Sequence, residues 1–112
     1  PIPNIGLSNT LRGAMASWAK SLSRELPQCI TINNILPGFT DTDRLGSLAA
    51  SINAKTGKSI EDIHSGWMSQ VPIERLIDPL ETGAAIAYLC MPIAGGIRGV
   101  SLAVDGGRMR SI

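Results

Sequence analysis

The chain has 112 residues, of which 44% are hydrophobic and 17% charged, with a formal net charge of +1. That balance is globular rather than disordered, and the length suits one small domain or part of a larger one. No basic patch with interleaved aromatics points to nucleic acid, no apolar run approaches the ~20 residues of a membrane span, and no signal peptide is visible.

The chain starts Pro1-Ile2-Pro3 without Met, and a helical pattern follows almost at once, which suggests that something upstream is missing from this sequence. Leu11, Ala14, Met15, Trp18, Ala19, Leu22 and Leu26 recur at i, i+3, i+4, i+7 and form one stripe of an amphipathic helix. Ser8 or Asn9 can cap its start, because a short side-chain oxygen accepts from a free backbone N–H there. Pro27 stops it, having no N–H to donate. Ile30-Thr31-Ile32-Asn33-Asn34-Ile35-Leu36 is rich in β-branched residues and reads as a strand, ended by Pro37-Gly38. A strand so soon after a helix suggests a βαβ crossover and a parallel sheet.

Residues 40–70 change character. They carry Gly46, Asn53, Gly57, Lys58 and Gly66, with weak helical patterns over 45–52 and 60–68. One or two short helices on mobile connections, placed after the carboxyl end of a strand, would cover a ligand as a lid. Asp78-Pro79-Leu80-Glu81 is a helix start in which Asp78 caps, Pro79 takes the first helical position and Glu81 reaches back as in a capping box. That helix runs through Ala84, Ala85, Tyr88 and Leu89 to Met91-Pro92. Val100-Ser101-Leu102-Ala103-Val104 is a last strand, closed by Asp105-Gly106-Gly107.

The order helix, strand, lid, helix, strand is the C-terminal half of a Rossmann-type, doubly wound α/β fold with a parallel sheet. Two strands would leave a sheet edge whose neighbours should come from an N-terminal half or another chain. Cys29 and Cys90 are far apart, form no Cys-x-x-Cys pair, and read as buried free thiols in a reducing, cytoplasmic setting. His64 has no acidic or cysteine cluster around it, and no metal site is expected.

The helix from Arg12 to Leu26, the segment Pro37-Gly38-Phe39-Thr40-Asp41-Thr42, the run Val71-Pro72-Ile73-Glu74-Arg75-Leu76 before Asp78-Pro79, and the ending Val104-Asp105-Gly106-Gly107 together resemble the second half of short-chain dehydrogenases/reductases. The resemblance covers nearly all of residues 1–112 as part of one nucleotide-binding domain, with 40–70 as the lid. It implies hydride transfer between NAD or NADP and a carbonyl or alcohol substrate, of which the 3-oxoacyl type is one example. It also implies a homo-oligomer, dimer or tetramer, with Trp18 on the helix that packs against its twin and the 99–105 strand at a subunit contact.

The family's glycine-rich nucleotide loop is not among these residues. Gly95-Gly96 and Gly106-Gly107 do not replace it, because a phosphate cradle needs glycines between a strand and a helix N-terminus. By resemblance, Pro37, Gly38, Phe39, Thr40 and Thr42 line the nicotinamide end of the cofactor, with backbone near Thr40 meeting the carboxamide and the Thr42 hydroxyl bonding the amide or a phosphate. Read without it, the same segment is a strand-to-helix turn with Thr42 as N-cap. Asp41 and Asp43 read as solvated loop carboxylates.

The family's Tyr-x-x-x-Lys pair is replaced: its Lys slot falls on Arg12 and its Tyr slot on Ser8, while the only tyrosine, Tyr88, is on the later helix. Spacing i, i+4 keeps Ser8 and Arg12 on one helical face. Arg12 is a permanent cation able to hold ribose hydroxyls. A serine hydroxyl is far too weak an acid to replace a tuned phenol, so a water on Ser8 or a group from the missing half would carry the proton. The other reading of the pair is a helix cap and a solvated first-turn arginine. A relative of the family that binds nucleotide without turning it over, or that serves only in oligomer assembly, is the alternative to an enzyme.

Overall fold

The computed structural model describes residue 2 and residues 5–110. The element order is α1 (Gly6–Glu25), β1 (Asn34–Pro37), α2 (Asp43–Thr56), α3 (Ile60–Met68), α4 (Pro79–Leu89), a short 3-10 turn (Pro92–Ala94) and β2 (Ser101–Val104). The two strands pair directly. The Asn34 N–H donates to the Val100 carbonyl at 2.8 Å and the Gly38 N–H to the Val104 carbonyl at 2.9 Å, so both strands advance in the same sense and the sheet is parallel. This is the α/β order expected from the sequence, with residues 40–70 carrying the two helices α2 and α3.

β1 is shorter than the sequence suggests. Residues 30–33 have strand-forming side chains but lie ahead of β2, where the backbone contact with that side thins to one bond, the Gly99 N–H donating to the Ile32 carbonyl at 2.8 Å. At their end, side chains substitute for ladder bonds: Asn33 Nδ2 donates to the Ile97 carbonyl at 3.0 Å, and the Val100 N–H donates to Asn33 Oδ1 at 3.1 Å.

The chain forms two compact units, Pro1–Ile35 with Ala87–Leu102, and Leu36–Ile86 with Ala103–Ile112. In the first, α1 buries Ala19 and Ser23. Gly99, at φ 68°, packs where a Cβ would collide with the Ser23 side chain. The Lys20 ammonium donates to the Gly99 carbonyl at 3.0 Å. Arg98 closes the end of α1, donating to the Ser23 and Leu26 carbonyls (the latter at 2.6 Å), which the helix C-terminus leaves free, and to the Pro27 carbonyl at 3.3 Å, which also accepts from the Ile30 N–H.

Three sequence expectations fail in this unit. α1 begins at Gly6 with Ile5 as N-cap, so Ser8 and Asn9 lie inside the helix and do not cap it; Asn9 instead exchanges hydrogen bonds with the backbone of Ile2. The stripe of α1 splits: Ala19 is buried, whereas Leu11, Met15 and Trp18 are more than half exposed. Cys29 and Cys90 are exposed free thiols, since each follows the end of a helix and sits in a turn.

In the second unit, α2 and α3 pack on each other around Ala49, Ile63 and Trp67, with Phe39, Leu45, Ile52 and Met68 against that centre. Gly57 ends α2 in the left-handed conformation, and Ser59 caps α3 by accepting from the Asp62 N–H at 3.0 Å. α4 starts as the sequence predicts. The Leu80 N–H donates to Asp78 Oδ1, and the Asp78 N–H to Glu81 Oε2, both at 2.8 Å. No helix among the described residues is long and apolar enough to cross a membrane.

Candidate functional site

The 37–42 segment leaves the carboxyl end of β1, and three features of the second unit fix its shape. Gly38 lies against Asp105: a Cβ there would come within 2.7 Å of the Asp105 Cα, so only glycine lets the two backbones approach. Asp105 is itself held by its own turn, accepting from the Gly107 N–H at 3.0 Å and the Met109 N–H at 2.7 Å. Thr40 forms an isolated parallel bridge with Ile77. In it the Ile77 N–H donates to the Phe39 carbonyl and the Asp41 N–H to the Ile77 carbonyl, both at 2.9 Å. The flanking residues carry both bonds, so Thr40 turns its own N–H and C=O to the other edge.

Thr42 is the N-cap residue of α2 in extended backbone, but its side chain makes no capping bond. Its hydroxyl donates to the Thr40 carbonyl at 3.4 Å, a long and weak contact. The Thr40 hydroxyl donates to the Gly38 carbonyl at 3.2 Å. Phe39 points into protein: its ring stacks on Trp67 with centroids 5.3 Å apart, and the Arg108 guanidinium lies 4.1 Å over the same ring. Its contribution to the segment is packing. Asp43 falls in the first turn of α2, where a carboxylate favours the helix dipole.

Ser8 and Arg12 belong to the first unit and do come together. The Arg12 Nε–H donates to Ser8 Oγ at 3.2 Å, across one turn of α1. Leu7, Ser8, Leu11, Arg12 and Met15 line one shallow, mostly apolar depression of the helix surface. The glycine pairs behave as turn residues: Gly95 ends the 3-10 turn, and Gly106 and Gly107 have φ of 65° and 85° with no helix after them.

Sequence reading missed Ile77, Trp67 and Arg108. Nothing local marks them, because each meets the 37–42 segment from a distant part of the chain. Asp105 carried a signal, the Asp-Gly-Gly turn chemistry, but its contact with Gly38 is visible only in the fold.

A family model described as enoyl-(acyl carrier protein) reductase matches residues 1–108. The solved structure of YwfH, described as an NADPH-dependent reductase involved in bacilysin biosynthesis, superposes with a TM-score of 0.90 at 30% identity, over 100% of this chain and 43% of that one. The chain belongs to the short-chain dehydrogenase/reductase family. Its curated relatives include the NADPH-dependent reductase BacG of Bacillus subtilis, 31% identical over 100% of this chain and 44% of BacG. Another is the 3-oxoacyl-[acyl-carrier-protein] reductase FabG of Vibrio cholerae, 32% identical over 93% of this chain and 39% of FabG. An actinorhodin polyketide ketoreductase solved with NADPH superposes with a TM-score of 0.77 at 28% identity, covering 87% of this chain and 38% of that one. The chain thus spans less than half the length of the short-chain dehydrogenases/reductases it matches.

Proposed function

We propose that the chain is the C-terminal part of an NAD(P)-dependent oxidoreductase that transfers a hydride between nicotinamide and a carbonyl or alcohol carbon. The observation that carries this reading is the Thr40 backbone, turned away from Ile77 at the carboxyl end of a parallel strand, where α/β folds bind ligands. The named NADPH dependence of BacG and YwfH supports it. The bound nicotinamide supplies the hydride chemistry. Thr40 N–H and C=O would hold the carboxamide, and the Thr42 hydroxyl, free of capping, would bond the amide or a phosphate. Pro37 and Gly38 bring the backbone to that position and Phe39 anchors it.

Arg12 would hold the ribose hydroxyls, and Ser8, already paired with it, would keep a water in line to carry the proton. The exposed Leu7, Leu11, Met15 and Trp18 on α1 support a homo-oligomer, dimer or tetramer, because an apolar face of that size favours a partner surface. FabG makes a 3-oxoacyl thioester the first substrate class to try, in a cytoplasmic protein.

The second reading is a short-chain dehydrogenase/reductase relative that binds nucleotide or assembles without turnover. Ser8 in the tyrosine slot favours it, since no phenol stands beside Arg12. One experiment separates the two. The full-length protein is titrated with NADPH and with NADH, then assayed for their consumption against a panel of 3-oxoacyl thioesters and small ketones. Binding with turnover supports the enzyme; binding without turnover across the panel supports the second reading; no binding of either nucleotide overturns both cofactor-based readings.

A further inference from the structure

The 37–42 segment is held from its side-chain side as well as along its backbone. Phe39 is the one residue of the segment in the α2–α3 core. Its ring is stacked on Trp67 at an interplanar angle of 19°, and His64 stacks on the same indole with centroids 5.1 Å apart. Arg108, which covers Phe39 from beyond β2, is steadied by donating to Gln70 Oε1 at 3.1 Å. Offset stacking and a cation over a ring are both directional, so they fix the ring plane and not merely its burial. The Phe39 carbonyl is at the same time the acceptor for the Ile77 N–H. A ring that shifts therefore drags the peptide that sets the orientation of Thr40.

We propose that Trp67 is a positioning residue: through Phe39 it couples the folding of α2 and α3 onto their core to the shape of the 37–42 segment, with Arg108 holding the same ring. The proposal rests on the reading of that segment as the nicotinamide site. Coupling of this kind is reciprocal. Cofactor held at Thr40 slows the opening of α2 and α3, and loosening α2 and α3 weakens cofactor binding. Trp67 sits in the last turn of a nine-residue helix, an element short enough to open independently of the rest.

The test uses the full-length protein and two measurements: the NADPH dissociation constant, followed by the fluorescence of NADPH itself, and amide hydrogen exchange of residues 43–68 with and without NADPH. Trp67→Leu keeps an apolar side chain and removes the flat stack; Trp67→Phe keeps the stack. The expected result is a dissociation constant raised about fivefold in Trp67→Leu, ~1 kcal/mol at 1.4 kcal/mol per factor of ten, and within about twofold of the parent in Trp67→Phe. NADPH slows exchange over 43–68 in the parent and in Trp67→Phe, and does not in Trp67→Leu. A purely structural tryptophan lowers the melting temperature of Trp67→Leu while leaving the dissociation constant and the exchange response unchanged, and that result overturns the proposal but leaves the cofactor site standing. A parent that binds neither NADPH nor NADH overturns both together. If Trp67→Leu does not fold, Arg108→Gln decides: a dissociation constant raised about fourfold supports the proposal, and one within about twofold of the parent overturns it.

Discussion

The two places where this chain meets its proposed cofactor are built to different standards. The 37–42 segment is fixed by backbone packing against Asp105, a bridge to Ile77 and a ring held between Trp67 and Arg108. The Ser8–Arg12 pair is held by one 3.2 Å hydrogen bond on an exposed helix turn, among apolar side chains that have no cover. If these are the places that meet the cofactor, the contrast separates fit to a ligand from capacity for proton transfer. Under the proposed function the first rests on contacts from distant parts of the chain, whereas the second rests on two side chains of a single helix turn.

The strongest way to break the comparison is to restore the family pattern on α1. The double substitution Ser8→Tyr with Arg12→Lys is expected to raise turnover of a carbonyl substrate by about 100-fold or more in the full-length protein, the usual contribution of a placed general acid. Steady-state rates at saturating NADPH check it, and an unchanged rate would show that proton supply is not what α1 lacks. Gly38→Ala attacks the other side. A methyl cannot fit against the Asp105 backbone without moving it, so a loss of ~1–3 kcal/mol in unfolding free energy is expected, read from denaturant midpoints, together with weaker NADPH binding.

Smaller effects sharpen the contrast by touching neither place. Asp78→Ala removes the cap of α4 and is expected to cost ~1 kcal/mol of stability with no change in NADPH affinity, measured by thermal melting and by titration. The smallest effect is acid-dependent. The Arg75 guanidinium, donating to both Glu81 oxygens at 2.7 and 2.8 Å, and the Asp78 N–H hold the Glu81 carboxyl down to about 2 from its ordinary 4.5. A carboxyl lowered in the folded state stabilises fully above its unfolded value and loses that contribution as pH falls from about 4.5 towards 2. The stability gap between the parent and Glu81→Gln should therefore close over that window, and a gap constant down to pH 2 would contradict the pairing.

What could be read from the sequence was what short stretches decide among themselves. Asp78-Pro79-Leu80-Glu81 specified the α4 start down to its two hydrogen bonds, because donors and acceptors lie within three residues of one another. The weak helical patterns over 45–52 and 60–68 marked α2 and α3, and Pro37-Gly38 marked the end of β1. The start of β1 was not legible, since residues 30–33 have strand-like side chains but the length of a strand is set by where its partner begins. The exposure of Leu11, Met15 and Trp18 was hidden for a related reason: periodicity says which residues share a face, and only packing says whether anything covers it. In the candidate site the Pro-Gly-x-x-x-Thr pattern marked the segment, while Ile77, Trp67 and Arg108 contribute through contacts that no local pattern announces.

Arg98 carries a consequence for the order in which the chain matures on the ribosome. The carbonyls it caps, at Ser23, Leu26 and Pro27, are synthesised more than seventy residues earlier. At a synthesis rate of roughly 5–20 residues per second, α1 waits several seconds with its last turn unfinished and its apolar side chains in water. During that interval α2 and α3, whose shared core is drawn from residues 39–68, can already close on each other. The last turn of α1 is thus secured later than the α2–α3 core that follows it in the chain, and a chaperone acting in that interval would be serving α1.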